Sequence, residues 1–243
     1  MQNSNILIIG SGGFLGRTVL KQIKNNKAFN ITNIEGKKDL DLTNKNEFLT
    51  FMKKNSFEYV INCAAFVGGI SFGYKFPTEL LEINTNIANN IYRSCMESGV
   101  EFLVNPISNC AYPSNITHYQ EDKFWDGAPH ESVFNYALSK KHMVALGKSY
   151  NQQYNFSSAN VVLSNMYGPD DHFDESRSHA LGALVKKICD AKESKINEVE
   201  IWGTGKPIRE WLYVSDGAES LIRTLELKNN NFFFNVGVGK GIS

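Results

Sequence analysis

A short segment near the start of the chain constrains the fold more than any other: Gly10-Ser11-Gly12-Gly13-Phe14-Leu15-Gly16, placed directly after the apolar run Ile6-Leu7-Ile8-Ile9. Four apolar residues without alternation are expected of a strand buried on both faces. Glycines at positions 10, 13 and 16 then serve three purposes: a tight turn, close approach of backbone to a pyrophosphate, and packing of the next helix on the strand. The diphosphate of a dinucleotide would rest on that helix's N-terminus, where free N–H groups and the dipole favour an anion. A glycine motif alone is weak. Its place ahead of a strand-helix series makes the reading specific.

That series runs through most of the 243 residues. Helices are predicted around Val19–Ile23, Phe48–Met52, Leu80–Met96 and Tyr136–Tyr150. Strands are predicted at Ile31–Glu35, Tyr59–Ile61, Phe102–Ser108 and Ala159–Leu163. Alternation of this kind gives a doubly wound parallel α/β sheet of Rossmann type, with right-handed crossovers. After Asn165 the pattern loosens, with helices at Leu181–Ile188 and Ser215–Leu227 and strands at Val199–Trp202 and Phe232–Val236. The expected division is a dinucleotide-binding domain over 1–165, a small substrate lobe over 166–208, and a return of about 209–236 onto the first domain.

Lysine plus arginine and aspartate plus glutamate each number 25, so no net field draws the chain to nucleic acid. No apolar stretch is long enough to span a bilayer, and Met1–Asn5 enters a strand at once, so no leader peptide is expected. Cys63, Cys95, Cys110 and Cys189 lack metal-type or redox-type spacing, and no metal site is predicted. A cytoplasmic setting follows, and the acceptor-like Asn115 and Asn155 are read as accidental.

Two further groups carry chemistry. Tyr136 and Lys140 stand at i and i+4, on one helix face, with Ser108 ending the preceding strand. A phenol with a pKa of about 10 exchanges protons poorly at neutral pH, and a neighbouring ammonium is expected to lower it. Ser108 would hydrogen-bond the reacting oxygen. At the second strand's end, Glu35 is placed to bind the ribose 2′-OH of NAD, whereas Lys37 and Lys38 are placed to bind the 2′-phosphate of NADP. Asn62, Ala64 and Ala65 would line the adenine and ribose side.

In order and spacing, Ser108-Asn109-Cys110-Ala111-Tyr112-Pro113, Tyr136-x-x-x-Lys140, Asn165-Met166-Tyr167-Gly168-Pro169, Ser178-His179 and Trp202-Gly203 through Arg209-Glu210 resemble the GDP-L-fucose synthase family of extended short-chain dehydrogenase/reductases. Ala64-Ala65-Phe66-Val67-Gly68-Gly69 resembles that family's Ala-Ala-x-Val-Gly-Gly segment. The resemblance implies 3,5-epimerisation of GDP-4-keto-6-deoxy-mannose followed by C4 reduction with NADPH. It implies Cys110 as base and His179 as acid, with Ser108, Tyr136 and Lys140 completing the catalytic set. It also implies cofactor contacts from Gly10, Gly12, Gly13, Phe14, Leu15, Gly16, Glu35, Lys37, Asp41, Leu42, Ala64, Ala65 and Asn165. Asn165, Lys187, Trp202, Gly203, Lys206 and Arg209 would meet the GDP-sugar, the planar guanidinium suiting a diphosphate.

A homodimer pairing through the helices around Leu80–Met96 and Tyr136–Tyr150 is likewise implied. Departures stand at Asn109 (usually serine), Phe66 (commonly lysine), Gly12 (arginine in NADP-linked members) and Gly182 (usually proline). The family also extends further than this chain, so an incomplete substrate lobe is expected. NADP is the implied cofactor, with NAD the alternative. A GDP-hexose or GDP-heptose C4-reductase without epimerisation is the enzymatic alternative, and a dinucleotide-binding regulator is the alternative of another class. Cys63, Cys95 and Cys189 are read as core residues.

Overall fold

The computed structural model describes residues 3–173, 178, 180–201, 203–227 and 230–243. The main sheet contains β1 (Ser4–Ile9), β2 (Phe29–Ile34), β3 (Tyr59–Asn62), β4 (Phe102–Ser108), β5 (Ser158–Leu163) and β8 (Asn231–Val236), ordered β2-β1-β3-β4-β5-β8. Every pairing in it is parallel. Six parallel strands place all their C-terminal ends on one rim. The order turns back between β1 and β3, which opens a crevice at that rim.

Both faces are covered, and the strands show why. Along β1, Leu7 and Ile9 enter one core with Phe48, Ile87, Ile91 and Val144, while Ile6 and Ile8 enter a second with Val19, Ile23, Ala218 and Leu221. The first core lies under α2 (Lys45–Asn55), α4 (Pro77–Glu97) and α5 (Phe134–Tyr154). The second lies under α1 (Phe14–Ile23) and α7 (Val214–Thr224). Period-2 alternation feeding two apolar layers explains why β1 reads as an unbroken apolar run.

A ladder of buried amides crosses the sheet. Asn62 Nδ2 donates to Asn105 Oδ1 at 3.1 Å, and Asn105 Nδ2 donates to Tyr92 Oη at 3.2 Å. Tyr92 Oη donates to Asn160 Oδ1 at 3.2 Å, and Ser158 Oγ donates to Asn231 Oδ1 at 3.2 Å. Burial pushes the Tyr92 phenol up to about 12. At the crevice end, Asn62 Oδ1 accepts the Ala64 N–H at 3.1 Å.

Three features differ from the sequence reading. Residues 199–201 are not a strand, because their apolar alternation meets no partner strand. Asn165 opens an unforeseen strand β6 (Asn165–Tyr167), which with β7 (Arg209–Tyr213) and β9 (Gly241–Ile242) forms a separate three-stranded sheet. Cys189 is exposed on α6 (Ala180–Glu193) rather than buried in a core, whereas Cys95 is buried. The short α3 (Ile70–Lys75), rich in glycine and aromatic residues, has no helical apolar stripe to announce it.

Candidate functional site

The glycine turn sits at the C-terminal end of β1, where the crevice opens. Gly10 has φ +77°, and a Cβ there would come within 2.6 Å of the Ala64 backbone nitrogen. A Cβ on Gly16 would overlap the Gly10 carbonyl oxygen. Gly10 and Ser11 donate their N–H groups to Ile34 O at 2.8 and 3.0 Å, which fixes the turn against the end of β2. Helix α1 begins at Phe14 with Gly13 as N-cap, no side-chain cap and no acidic residue in its first turn. The first amides of a helix have no intrahelical acceptor, so this terminus fits an anion such as a dinucleotide diphosphate.

Glu35 follows β2, exposed, its carbonyl accepting the Gly12 N–H at 3.2 Å. Asp39 caps the Glu35 and Gly36 amides at 2.8 and 3.3 Å. Lys37 pairs with Asp41 at 3.1 Å, and Lys38 is exposed. The Thr43 hydroxyl holds the Asp41 carboxyl below its ordinary range. Leu42 is buried, and its carbonyl accepts the Asn90 amide at 2.8 Å. Ala64 and Ala65 follow β3 opposite the turn. Asn84 of α4 holds the next residue at both ends, accepting the Phe66 N–H at 2.9 Å and donating to the Phe66 carbonyl at 2.8 Å.

Ser108 closes β4, and its Oγ accepts the Cys110 N–H at 3.4 Å, starting a single 3-10 turn (Asn109–Ala111). That turn packs on α5, which carries Tyr136 and Lys140. The Lys140 ammonium, 5% exposed, donates to Pro106 O at 3.3 Å and lies 5.5 Å from the centre of the Tyr136 ring. Burial brings its pKa down to about 8, while the Cys110 and Cys63 thiols act in the opposite direction. Ser108, Cys110, Tyr136 and Lys140 thus converge at the rim by the C-terminal ends of β3 and β4.

The electrostatics correct one expectation. Burial pushes the Tyr136 phenol up, and Cys110 pushes it further, so it is not lowered. The ammonium meets the ring face and a backbone carbonyl, and burial dominates at the phenol. Cys110 also moves up rather than down, because burial outweighs the Ser108 hydroxyl and the Lys140 charge. Cys63, half-buried rather than core, is pushed up to about 12 for the same reason.

Toward the smaller sheet, Asn165 Nδ2 donates to Glu210 O at 3.2 Å. The Glu210 carboxylate accepts the Gly239 N–H at 2.6 Å, tying the segment before β9 to β7. Arg209 is exposed, with Nη1 on Ile208 O at 2.9 Å. Gly203 and Lys206 are exposed on the preceding loop. Lys187 lies on α6, with Nζ donating to Glu200 O at 3.2 Å. It lines an open hollow of about 340 Å³ with Asp190, Ile196 and Glu198. His179 and Trp202 lie outside the described residues. No cluster of metal-binding side chains occurs among the described residues, and no described helix is long and apolar enough to cross a membrane.

A sequence profile for the NAD dependent epimerase/dehydratase family matches residues 6–237, spanning both the glycine turn and the β4–α5 cluster. The chain belongs to this family. Among its relatives, the GDP-L-colitose synthase of Yersinia pseudotuberculosis is 32% identical, over 97% of this chain and 77% of its own length. Several solved structures cover the whole chain. A GDP-6-OMe-4-keto-L-xylo-heptose reductase from C. jejuni superposes with a TM-score of 0.89 at 26% identity, over 81% of that chain. A GDP-L-fucose synthetase from Naegleria fowleri bound to NADP superposes with a TM-score of 0.87 at 29% identity, over 80% of that chain. The family fold is this parallel sheet with its glycine turn at β1.

Two site elements escape sequence reasoning. Asn84 is a polar residue on an otherwise apolar helix face, a signal that was available. Tyr119, on the loop between Pro113 and Glu121, has no motif to mark it.

Proposed function

We propose that this protein is a nicotinamide-dependent enzyme that epimerises a GDP-4-keto-6-deoxy sugar at C3 and C5 and reduces its C4 ketone, with NADP(H) as cofactor. The observation that carries the reading is the convergence of a thiol, a phenol, an ammonium and a serine hydroxyl at the C-terminal end of β4, on the same rim as the glycine turn. Cofactor choice follows the NADP-bound relative; Lys38 is exposed three residues after Glu35 and has no ion-pair partner among the described residues, whereas Lys37 is paired with Asp41.

Protons next to a ketone are acidic because the enolate charge spreads onto oxygen. Cys110 takes such a proton, and Ser108 and Tyr136 donate hydrogen bonds to the C4 oxygen, where the charge develops. The opposite face needs an acid to return a proton, and His179 is assigned that role. The Gly10–Gly16 turn and the α1 N-terminus would hold the diphosphate of the dinucleotide, which when bound would supply the hydride for C4. Tyr136 then gives its proton to the C4 oxygen, and Lys140, charged below about pH 8, stabilises the phenolate that remains. Asn165 and Arg209 hold the sugar and diphosphate. A homodimer formed through α4 and α5 belongs to the same proposal; Phe134, Leu138 and Tyr154 are exposed apolar residues on α5.

A specific observation favours a second reading, C4 reduction alone. Burial raises the Cys110 thiol, which makes thiolate scarce at neutral pH, and the superposed C. jejuni relative is a GDP-6-OMe-4-keto-L-xylo-heptose reductase. The two separate in one assay of purified protein with GDP-4-keto-6-deoxy-mannose, NADPH and deuterated water. Dual function requires cofactor oxidation with deuterium at C3 and C5, and loss of that exchange in Cys110→Ser. Cofactor oxidation without exchange supports the reductase. No oxidation of either NADPH or NADH overturns both.

A further inference from the structure

We infer that Tyr119 is a specificity-determining residue that contacts the sugar of the GDP-sugar, its outer ring face and hydroxyl forming a wall of the pocket between Cys110 and Arg209. The inference rests on the GDP-sugar reading above and assigns a residue to which no motif points.

The geometry fixes this side chain unusually well for a loop residue. Its ring lies parallel to Tyr112, with centroids 4.7 Å apart and an interplanar angle of 11°. Tyr112 is only 2% exposed and stands two positions after Cys110, so the stack rests on the turn that carries the thiol. One residue clamps the pair. Asn235, near the C-terminal end of β8, accepts from Tyr112 Oη at 2.8 Å and donates to the Tyr119 carbonyl at 3.0 Å. Its own N–H goes to Glu121 Oε1 at 2.7 Å, which pins the far end of the loop.

Tyr119 itself stays 47% exposed. One ring face is covered by Tyr112, and among the described residues no second ring stacks on the other. Its phenol also senses both ends of the site: burial raises its pKa, the Arg209 guanidinium lowers it and the Cys110 thiol raises it again. Tyr112 ties the ring to the Cys110 turn, and Asn235, which holds the Tyr119 carbonyl, stands two residues before Gly237, where a Cβ would meet the carboxylate of Glu210, the neighbour of Arg209; the hexose of a GDP-sugar held at both places would lie beside this ring. A flat ring presents an apolar surface to the C–H face of a pyranose, and a phenol O–H donates to a sugar hydroxyl or a phosphate oxygen.

Tyr119→Phe keeps the stack and the backbone clamp and removes only the hydroxyl; Tyr119→Ala removes the wall. The assay is steady-state turnover of GDP-4-keto-6-deoxy-mannose and NADPH, with calorimetric binding of GDP alone. The expected result is a KM for the sugar nucleotide raised about fivefold in Tyr119→Phe, the worth of one hydrogen bond, and roughly tenfold further in Tyr119→Ala. The NADPH KM should stay at the wild-type value in both variants, and the GDP affinity and Tm should stay at wild-type values in Tyr119→Phe, which keeps the stack on Tyr112. An unchanged sugar KM in both variants of an active enzyme overturns the inference. So does a parallel loss of NADPH and GDP affinity with a lowered Tm, which marks a merely structural residue. If the wild type turns over no substrate and does not bind GDP, the GDP-sugar reading falls and this inference falls with it.

Discussion

The Lys140 ammonium lies over the face of the Tyr136 ring, 5.5 Å from its centre, and is hydrogen-bonded to the Pro106 carbonyl. The pair sits one helical turn apart on α5, yet the lysine is anchored to β4. Its charge is thereby held at the rim of the sheet, within reach of both Cys110 and Cys63.

Lys140 makes stability depend on pH. Its pKa falls from 10.5 in the unfolded chain to about 8 in the fold, so the unfolded state binds more protons between those values. Stability from this group therefore rises as pH goes from about 8 to about 10.5 and is lost as pH falls through about 8, a span of about 3 kcal/mol. Urea titrations of wild type and Lys140→Met across that range should differ by this slope; parallel curves would disprove the shift.

Loss of the Tyr136 hydroxyl should abolish most of the reduction and little else. Tyr136→Phe is expected to lower kcat for NADPH oxidation by roughly 10²- to 10⁴-fold, the usual worth of a positioned proton donor, with Tm and cofactor affinity close to wild type. A kcat within threefold of wild type would remove Tyr136 from the chemistry.

Gly10→Ala tests the cradle. The substitution combines a left-handed backbone angle with a Cβ 2.6 Å from Ala64 N. It should cost about 1–3 kcal/mol in urea unfolding and weaken NADPH binding by tenfold or more in a fluorescence titration. Gly36→Ala, which meets nothing within 4 Å, is the matched control.

Asn84→Ala frees the Phe66 backbone, leaving its N–H and carbonyl without their partners. A loss of about 1–3 kcal/mol is expected, together with a raised KM for the cofactor, since Phe66 adjoins Ala65 at the crevice. Thermal unfolding and steady-state kinetics on one preparation would check both effects.

The parts of the molecule visible in its sequence are those where one local rule decides the outcome. Strands β1, β4 and β5 are buried on both faces, so their apolar runs announce them. The Tyr136–Lys140 spacing was legible because helical periodicity alone puts both on one face. The small sheet was not legible: β6 has three half-buried residues and its partner β7 lies some forty positions on, so pairing is set by tertiary contact. Residues 199–201 show the converse, strand-like alternation with no neighbour to bond. The direction of the Cys110 and Tyr136 shifts was also hidden. A motif places groups side by side, but burial, which no motif encodes, decides which charge state wins there.

The buried amide ladder constrains how this sheet can change. Asn62, Asn105 and Asn160 lie on three successive strands, and each needs the others at one fixed offset. A one-residue slip of any strand would turn its amide to the opposite layer and strand its neighbours' donors in an apolar interior. Mutational drift here should therefore proceed by joint replacement of the set, and a homologue that loses one asparagine should be found to have lost its companions too.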